Sequence, residues 1–475
     1  MLNDVAKLLG SLVDTAWRSN VDTWGSRVLL ARQYAEGEHR AKMTPAMREM
    51  LRVSGTVTDQ FNDNYCEMVV DSMADRLVVT AIEGDTEAAT EWSSTVLQDN
   101  RFDGLQMDAH TATVRDGDSF VMVSYDSERG RVLLTHEPAY DGTAGVIPVY
   151  DRMARELVAA VKVWVEGDDK RINLYYPDRV EKYLFKGAAT PSSGTLTKLD
   201  EAEWVDATGR ALGVPLFHLR NKPQTRRSTG LSEISGVIPL QDALNRTLVS
   251  MVLTAELTAF QVRVARGFDP PTNLSPGMWV VIGQDGLAND QIADASVMEQ
   301  GQIVPFIAQA DWLINQIGTI SRTPLPSLMG GDGESGEALK EREKGLLSKV
   351  TKFTVKNGNV WEDVMAYAAR LQNTFGTTLA PASLRWFCRW QSVELRNQSE
   401  VVKNAVLVAD RVSEREFLRM IAPVFNWDAA KIEAILLERA EDIGRNVGAA
   451  GAFLPQFNLT QAEVAPPAAQ QTIAA

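Results

Sequence analysis

A long helical stretch from Ser232 to Phe260 constrains the fold more than any other feature of this sequence. Its apolar residues, among them Leu240, Leu244, Leu248 and Met251, recur at helical spacing but occupy more than one side of the helix. A helix that is apolar on several sides must be covered on several sides. Three charged residues between positions 240 and 262 argue against a membrane span. We therefore expect neighbouring helices, from the same chain or from another copy, to cover it.

The remaining sequence mixes helical and strand patterns, which predicts an α+β fold with small antiparallel sheets. Further helices are predicted over Asn62–Arg76, Phe306–Ser321 and Glu337–Thr374, the last with Gly358 as a candidate kink. Charged amphipathic helices are predicted between Ser399 and Gly444. The predicted strands are Phe120–Tyr125, Arg131–Thr135, Val158–Val165, Arg171–Tyr176, Val180–Phe185, Pro215–Leu219, Gln261–Ala265, Met278–Ile282 and Leu384–Trp390.

Composition narrows the classes of protein to consider. The formal net charge of −14 is not the basic balance typical of proteins that grip nucleic acid by its phosphates, but it suits a DNA conduit as well as an ordinary soluble protein, so charge alone does not decide between them. The two cysteines, Cys66 and Cys388, are far apart, which argues against a disulfide framework and suits a reducing cytosol. The four histidines stand singly, without the close spacing of a zinc site. No cofactor is expected, and we predict a protein without a membrane anchor, made in the cytoplasm.

Two short motifs resemble catalytic or nucleotide-binding signatures. Gly331–Gly336 matches G-x-G-x-x-G, but prolines precede it where a strand is needed, and its own acidic residues would repel a pyrophosphate. We interpret it as a loop before a helix. Gly117-Asp118-Ser119 resembles the nucleophile block of some esterases. A hydrolase that uses Ser119, or the acidic pair Asp116 and Asp118, is therefore one alternative reading; a turn between a helix and a strand is the other.

The second long helix has an uneven distribution of charge. Acidic residues crowd its start, and Lys349, Lys352 and Lys356 follow on one helical face. Acid near the N-terminus and base further along complement the helix dipole, so a solvated stripe explains the pattern. A stripe that faces phosphate or a partner is the alternative.

Several segments, in order, resemble the portal proteins of long-tailed bacteriophages, in the Gp6-like portal family. The resemblance covers residues 20 to 445, and its motifs are short. They are Tyr34-Ala-Glu-Gly37-Glu-His39, similar to the family's Y-x-x-G-x-H; Asn64–Leu77; Gly213-Val-Pro215 through Asn221; Leu240-Gln-Asp242-Ala-Leu-Asn245; and Ser335-Gly336-Glu-Ala338-Leu339-Lys340, similar to S-G-x-A-L-K.

The resemblance implies a portal fold with wing, stem, clip and crown parts, assembled as a ring of about twelve subunits. On this chain the implied parts are a wing over residues 1–230, stem helices over 231–260 and 304–323, a clip over 261–303, a tunnel loop over 324–336, the long wing helix and strand over 337–396 and crown helices over 397–447. The tail over 448–475, rich in alanine, proline and glutamine, is predicted to be disordered.

The resemblance further implies a structural, non-enzymatic role: a channel at one vertex of the virion capsid through which double-stranded DNA is packaged and ejected. The implied partners are further copies of the chain, DNA, the packaging terminase, the major capsid protein and a head–tail adaptor. The residues expected at the channel are Leu328, Met329, Gly330, Gly331, Asp332, Gly333, Glu334 and Ser335. The lysines expected to face DNA or a partner are Lys340, Lys344, Lys349, Lys352 and Lys356. Another ring-forming assembly protein, such as a head–tail adaptor, is the alternative.

Overall fold

The computed structural model describes residues 15–54, 63–151, 156–186, 195–223, 228–259, 263–266, 279–282, 294–297, 301–324, 336–391, 405–425, 427 and 431–439. The chain divides into two compact units, Met1–Val393 and Glu394–Ala475. The disordered tail predicted at 448–475 lies outside the described residues.

The helices described in the first unit include two long ones that the sequence predicts. They are α1 (Thr15–Ala35), α2 (Pro45–Ser54), α3 (Tyr65–Ala74), α4 (Glu87–Asp99), α5 (Phe102–Asp116), α6 (Ile238–Ala259), α7 (Val304–Ser321) and α8 (Gly336–Phe375). In the second unit, α9 (Glu414–Phe425) and a helix over residues 431–439 bury Leu418, Ile421 and Ile432 in a small core.

Four small sheets accompany these helices in the described residues. Their strands are β1 (Val79–Gly84), β2 (Asp118–Asp126), β3 (Arg131–Pro138), β4 (Gly145–Tyr150), β5 (Leu157–Glu166), β6 (Asp169–Tyr175), β7 (Arg179–Lys186), β8 (Thr195–Glu203), β9 (Leu216–Arg220), β10 (Arg263–Arg266), β11 (Trp279–Ile282), β12 (Asp294–Val297) and β13 (Trp386–Trp390). The strand orders are β1-β13, β3-β2-β9, β4-β5-β6-β7-β8 and β11-β10-β12. Pairing is antiparallel except between β10 and β11. The α+β class is confirmed.

The helix predicted from Ser232 begins later, at Ile238. Residues 233–237 form turns, and the amide N–H groups of Val237 and Ile238 both donate to the carbonyl of Ile234. Pro239 is the second residue of α6, a position where its missing N–H is not needed. The proline therefore suits the first turn of a helix and would disrupt one that continued from position 232.

Helix α8 runs without interruption through Gly358, where the sequence suggested a kink. A Cβ atom at this position would lie 3.1 Å from Nε1 of Trp390 on β13. The glycine allows the indole to pack directly on the helix. Along its length α8 contributes to two cores, first with α1, α3, α6 and α7, and then with α4, α5 and the sheet β3-β2-β9.

Candidate functional site

The predicted channel residues, Leu328–Ser335, lie outside the described residues. The structure describes the segments on either side of them. Before the loop, α7 ends at Ser321, and Arg322 closes it in the left-handed conformation with φ 54°. After the loop, α8 begins at Gly336, the last glycine of the G-x-G-x-x-G match. The structure therefore defines how the two ends of this loop are held.

Helices α6 and α7 form an antiparallel pair. At one end, the hydroxyl of Thr258 donates to the carbonyl of Gly301 over 3.3 Å. At the other end, Gly236 packs against the side chain of Ile320, to which an added Cβ would approach within 3.6 Å. The sequence between the two helices contains the sheet β11-β10-β12. The pair thus forms a helical hairpin whose connecting segment contains a small sheet.

Helix α7 buries one side and exposes large apolar residues, together with polar ones such as Gln309 and Asn315, on the rest of its surface. Ala310, Leu313 and Ile317 are buried in the first core. On the rest of its surface Trp312 is 57% exposed and Val304 is 72% exposed, with Ile307 and Ile320 exposed as well. Asp311 is the helix's single charged residue. Exposed apolar side chains of this size are typical of a contact with another protein surface.

The base of α6 is held by the last turn of α1 and the segment that follows it. The hydroxyl of Tyr34 donates to the carboxylate of Asp242, and Lys42 pairs with the same carboxylate at 2.5 Å. The ring of His39 stacks on Tyr34 with centroids 4.3 Å apart and lies within 3.0 Å of the amide of Asn245. These contacts join two of the portal-like motifs, Y-x-x-G-x-H and the one at Leu240–Asn245.

A third portal-like motif meets α6 at the same place. The side-chain oxygen of Gln241 accepts from the amide N–H of Tyr65 at 3.0 Å, and its amide donates to the carbonyl of Asp63 at 2.6 Å. Asn245 accepts from the amide N–H of Asp63 at 3.0 Å. The first turn of α3 is therefore fixed to α6 by side chains that are themselves buried.

Lys349 lies largely buried within the fold, where it joins the bases of both paired helices to α8. Its ammonium pairs with Glu233 at 2.6 Å and also donates to the carbonyl of Ser321, in the last turn of α7. Lys222 pairs with the other oxygen of Glu233 at 2.9 Å. Only 1% of the Glu233 side chain and 11% of the Lys349 side chain are exposed. We call these residues the basal junction.

The charges of the basal junction are strongly coupled. Burial raises the pKa of Glu233, but the two ammonium groups outweigh it, and the pKa lies below its usual value. Burial lowers the pKa of Lys349, although Glu233 opposes the change. Lys349 therefore does not share an exposed face with the other lysines. Lys344, Lys352 and Lys356 are exposed, and Lys340 lies in α8 with its side chain outside the described set.

Ser119 and Asp118 point to opposite sides of their sheet, which argues against the hydrolase reading. The hydroxyl of Ser119 donates to the carbonyl of Ala109 and accepts from Thr113, both at 3.0 Å. His218 pairs with Phe120 across the strands, and its Nε2 lies 2.8 Å from Asp118. Because side chains alternate along a strand, the histidine and Ser119 occupy different faces.

The acidic side chains of this motif hold the fold together. Asp118 is fully buried and also accepts from Nε1 of Trp24 at 3.0 Å and from the amide N–H of Gly230 at 2.6 Å. Asp116 accepts from Arg32 at 2.8 Å and from Arg115 at 2.8 Å. These interactions favour the structural reading of both residues, a turn between α5 and β2.

Within the described ranges, no group of three or more histidine, cysteine, aspartate or glutamate residues could hold a metal ion. Among the helices of those ranges, none combines the length and apolar character needed to cross a bilayer.

Comparison with known proteins gives one consistent result. The family model described as phage portal protein, SPP1 Gp6-like, matches residues 32–445. The portal protein of Mycobacterium phage L5 is 24% identical over 353 residues, which cover 69% of this chain and 68% of that protein. The portal protein of Mycobacterium phage D29 is 25% identical over 357 residues, with the same coverage. The family match spans the helix pair, the basal junction and both ends of the predicted tunnel loop.

Proposed function

The chain belongs to the SPP1 Gp6-like family of phage portal proteins, and we propose that twelve copies form a ring through which double-stranded viral DNA enters and leaves the capsid. As a member of this family it is a structural virion protein. The resemblance and the helix order support the ring, and the acidic net charge of −14 supports a channel that lets phosphate pass. Tight binding to phosphate would depend on many lysine and arginine contacts, which would slow translocation.

The exposed apolar surface of α7 is the observation that supports the ring most strongly. In a single copy this surface leaves Val304, Ile307, Trp312 and Ile320 in water. In a closed ring each copy contacts one neighbour through one surface and the other neighbour through a different surface. The exposed apolar residues of α7 are then covered in every copy. We assign the paired helices α6 and α7 to the stem, in which neighbouring copies cover the surface of α7.

The remaining parts are assigned as the resemblance to portal proteins implies. Residues 261–303, with the sheet β11-β10-β12, form the clip, where the packaging terminase and, later, a head–tail adaptor dock. Residues 324–336 form the tunnel loop, and Leu328–Ser335 contact DNA. Residues 1–230 and 337–396 form the wing, which contacts the major capsid protein, and residues 397–447 form the crown. The basal junction supports this arrangement because it fixes the bases of both stem helices to the wing helix α8.

Replacing Trp312 with lysine tests the stem assignment. We expect Trp312→Lys to raise the protein concentration needed for ring assembly at least about 30-fold, since a buried interface tryptophan contributes about 2 kcal/mol or more. Mass photometry across a dilution series measures the change. The substitution lies on an exposed surface, so the melting temperature of the unassembled chain should stay within about 2 °C of wild type.

Two matched variants complete this experiment. Trp312→Phe keeps an apolar ring and should assemble within a few-fold of wild type. Leu199→Lys changes an exposed apolar residue on the edge strand β8 and should leave assembly unchanged. If Trp312→Lys assembles at the wild-type concentration, the surface of α7 is not a subunit interface and the proposed stem is wrong.

A further inference from the structure

A groove opens to solvent between α1 and the base of α6. Helix α1 supplies Trp24, Leu30 and Ala31 to its walls, and the start of α6 supplies Ile238 and Pro239. The groove encloses about 270 Å³, its accessible wall is mostly apolar, and Leu30 is 41% exposed. A cavity of about 150 Å³ already takes a benzene-sized group. The groove therefore has room for a large apolar side chain.

The groove and α7 lie on opposite sides of α6. Thr254 and Thr258 contact Gly301, which comes just before α7. At 3.6 residues per turn these threonines lie about 160° and about 200° around α6 from Ile238, which lines the groove. Asp242 accepts a hydrogen bond from the last turn of α1 and lies about 40° from Ile238. One flank of the helix pair thus carries α7, and the opposite flank carries the groove.

The exposed apolar side chains of α7 stand out from a helix, so they fit a recess rather than another ridge. A closed ring joins two different surfaces of neighbouring copies. Val355 and Leu384 are also strongly exposed, at 64% and 94%, but they too project into solvent. The groove is a recess with apolar walls, and it lies on the flank of the helix pair that faces away from α7. It has the shape and the chemistry that the surface of α7 requires.

Position along the helix pair selects the residue of α7 that can reach the groove. Ile320 is 54% exposed and lies beside Gly236, two residues before Ile238 of the groove. Trp312 is eight residues, about 12 Å, further along α7, and Val304 is about 24 Å from Ile320. In the proposed stem the helix pair runs along the channel, and rotation about the channel axis leaves height unchanged. The groove of one copy is therefore level with Ile320 of the next.

We propose that the side chain of Ile320 enters the groove between α1 and α6 in the next copy of the ring. This inference rests on the proposed function, because it names the surface that covers the base of the stem helix α7. Each copy presents Ile320 to one neighbour and its groove to the other. Two different surfaces that meet head to tail generate a closed ring when the rotation between copies closes.

Duplex DNA fits the groove less well than a second copy does. The outside of the duplex offers phosphate and sugar, which gain little from an apolar wall. Binding by DNA would also leave Ile320 in water. Insertion of Ile320 removes apolar surface from water on both copies at once, and that burial favours association.

Cysteine cross-linking tests the contact directly. Leu30→Cys and Ile320→Cys subunits are prepared separately, mixed, assembled into rings and mildly oxidised. Each variant carries one introduced cysteine, so a disulfide between positions 30 and 320 can form only between copies. We expect a covalent dimer from the mixture on a non-reducing gel, and monomer from either variant alone. The native Cys66 and Cys388 are present in every sample, so the single variants report their background.

A second mixture controls for the position along α7. Val304→Cys replaces Ile320→Cys, and Val304 is more exposed than Ile320. A disulfide joins Cα atoms about 4.4–6.8 Å apart. Because Val304 lies about 24 Å along the helix from Ile320, this mixture should stay monomeric on the gel.

Filling the groove tests the same contact through assembly. Ser235 lines the groove with an exposed side chain, so Ser235→Trp should occupy the space without disturbing the core. We expect this variant to need at least about tenfold more protein than wild type to form rings, since it blocks an apolar anchor of the interface. Ser235→Ala should assemble as wild type. Mass photometry measures assembly, and the melting temperature of each unassembled chain checks folding.

The outcomes separate this contact from the ring itself. If the mixture of Leu30→Cys and Ile320→Cys forms rings without a covalent dimer, Ile320 does not enter the groove, while the ring stands. The same conclusion follows if folded Ser235→Trp assembles at the wild-type concentration. If the wild-type chain forms no ring, alone or with its capsid proteins, the proposed function fails and this inference fails with it.

Discussion

Replacing Lys349 with methionine should lower the free energy of unfolding of the unassembled chain by about 3–5 kcal/mol, because it leaves the Glu233 carboxylate buried without its closest cation. Lys349 also supplies a donor to the carbonyl of Ser321, and that carbonyl loses its partner in the variant. Lys222 is partly exposed and reaches only the second oxygen of Glu233, so it cannot replace both contacts. Urea unfolding measured by circular dichroism below the assembly concentration provides the comparison.

Lys352 provides the matched control, since it lies on the same helix three residues away with an exposed side chain. Lys352→Met should change the free energy of unfolding by no more than about 0.5 kcal/mol. The double variant Glu233→Gln/Lys349→Met should recover part of the loss, because it removes the unpaired charge. If Lys349→Met and Lys352→Met cost the same, the ammonium of Lys349 does not hold the basal junction together.

Replacing Gly230 with alanine should cost at least about 3 kcal/mol, since neither of the backbone groups that it meets can move without breaking hydrogen bonds. A Cβ at this position would overlap the carbonyl oxygens of Gly117 and Asn221. The same Gly117 carbonyl accepts from the amide N–H of Asn221 at 2.9 Å. The amide N–H of Gly230 donates to Asp118. Urea unfolding of the unassembled chain measures the loss.

Gly104 is the matched control for this substitution. It lies in the first turn of α5, and a Cβ there would meet nothing within 4 Å. Gly104→Ala should leave stability unchanged or raise it by about 0.4–1 kcal/mol, because alanine reduces the entropy of the unfolded chain. If Gly230→Ala changes the free energy of unfolding no more than Gly104→Ala does, the chain does not pack this closely around position 230.

The sequence predicts elements with local patterns well and pairings between distant elements poorly. The strands Phe120–Tyr125 and Arg131–Thr135 are neighbours along the chain, and their predicted pairing is confirmed. The strand near Leu384–Trp390 was also predicted, but its partner β1 was missed. Their residues are about 300 positions apart, and no local signal joins them. Strand β4 was missed as well, since Pro148 is unusual within a strand; an edge position accommodates it.

The candidate site shows the same limit at the level of single side chains. Helical periodicity placed Lys349 with Lys352 and Lys356, yet Lys349 lies at the level of α8 where Glu233 and the carbonyl of Ser321 pack against it, while the other two lysines lie in water. The resemblance located the motifs around His39 and Asn245 but gave no sign that they contact each other. Such contacts depend on how α1 and α6 cross, which the packing of the whole core decides.

The histidines illustrate why isolated polar residues were hard to interpret. His110 donates from Nδ1 to the carbonyl of Leu77 at 2.7 Å and accepts at Nε2 from Trp361 at 3.0 Å. Burial lowers the pKa of His110 to about 4, so it stays neutral at physiological pH. It is a core residue that joins α5, the segment before β1 and α8. Nothing in the sequence around it indicates those partners.

Electron cryomicroscopy of the purified protein, alone and assembled with its capsid proteins, tests the central claim most directly. We predict closed rings of about twelve copies with a central hole wide enough for duplex DNA. The helices α6 and α7 should surround that hole, and the apolar surface of α7 should lie between neighbouring copies. A closed particle without a continuous hole, or a chain that remains monomeric both alone and in assembled capsids, would contradict the account.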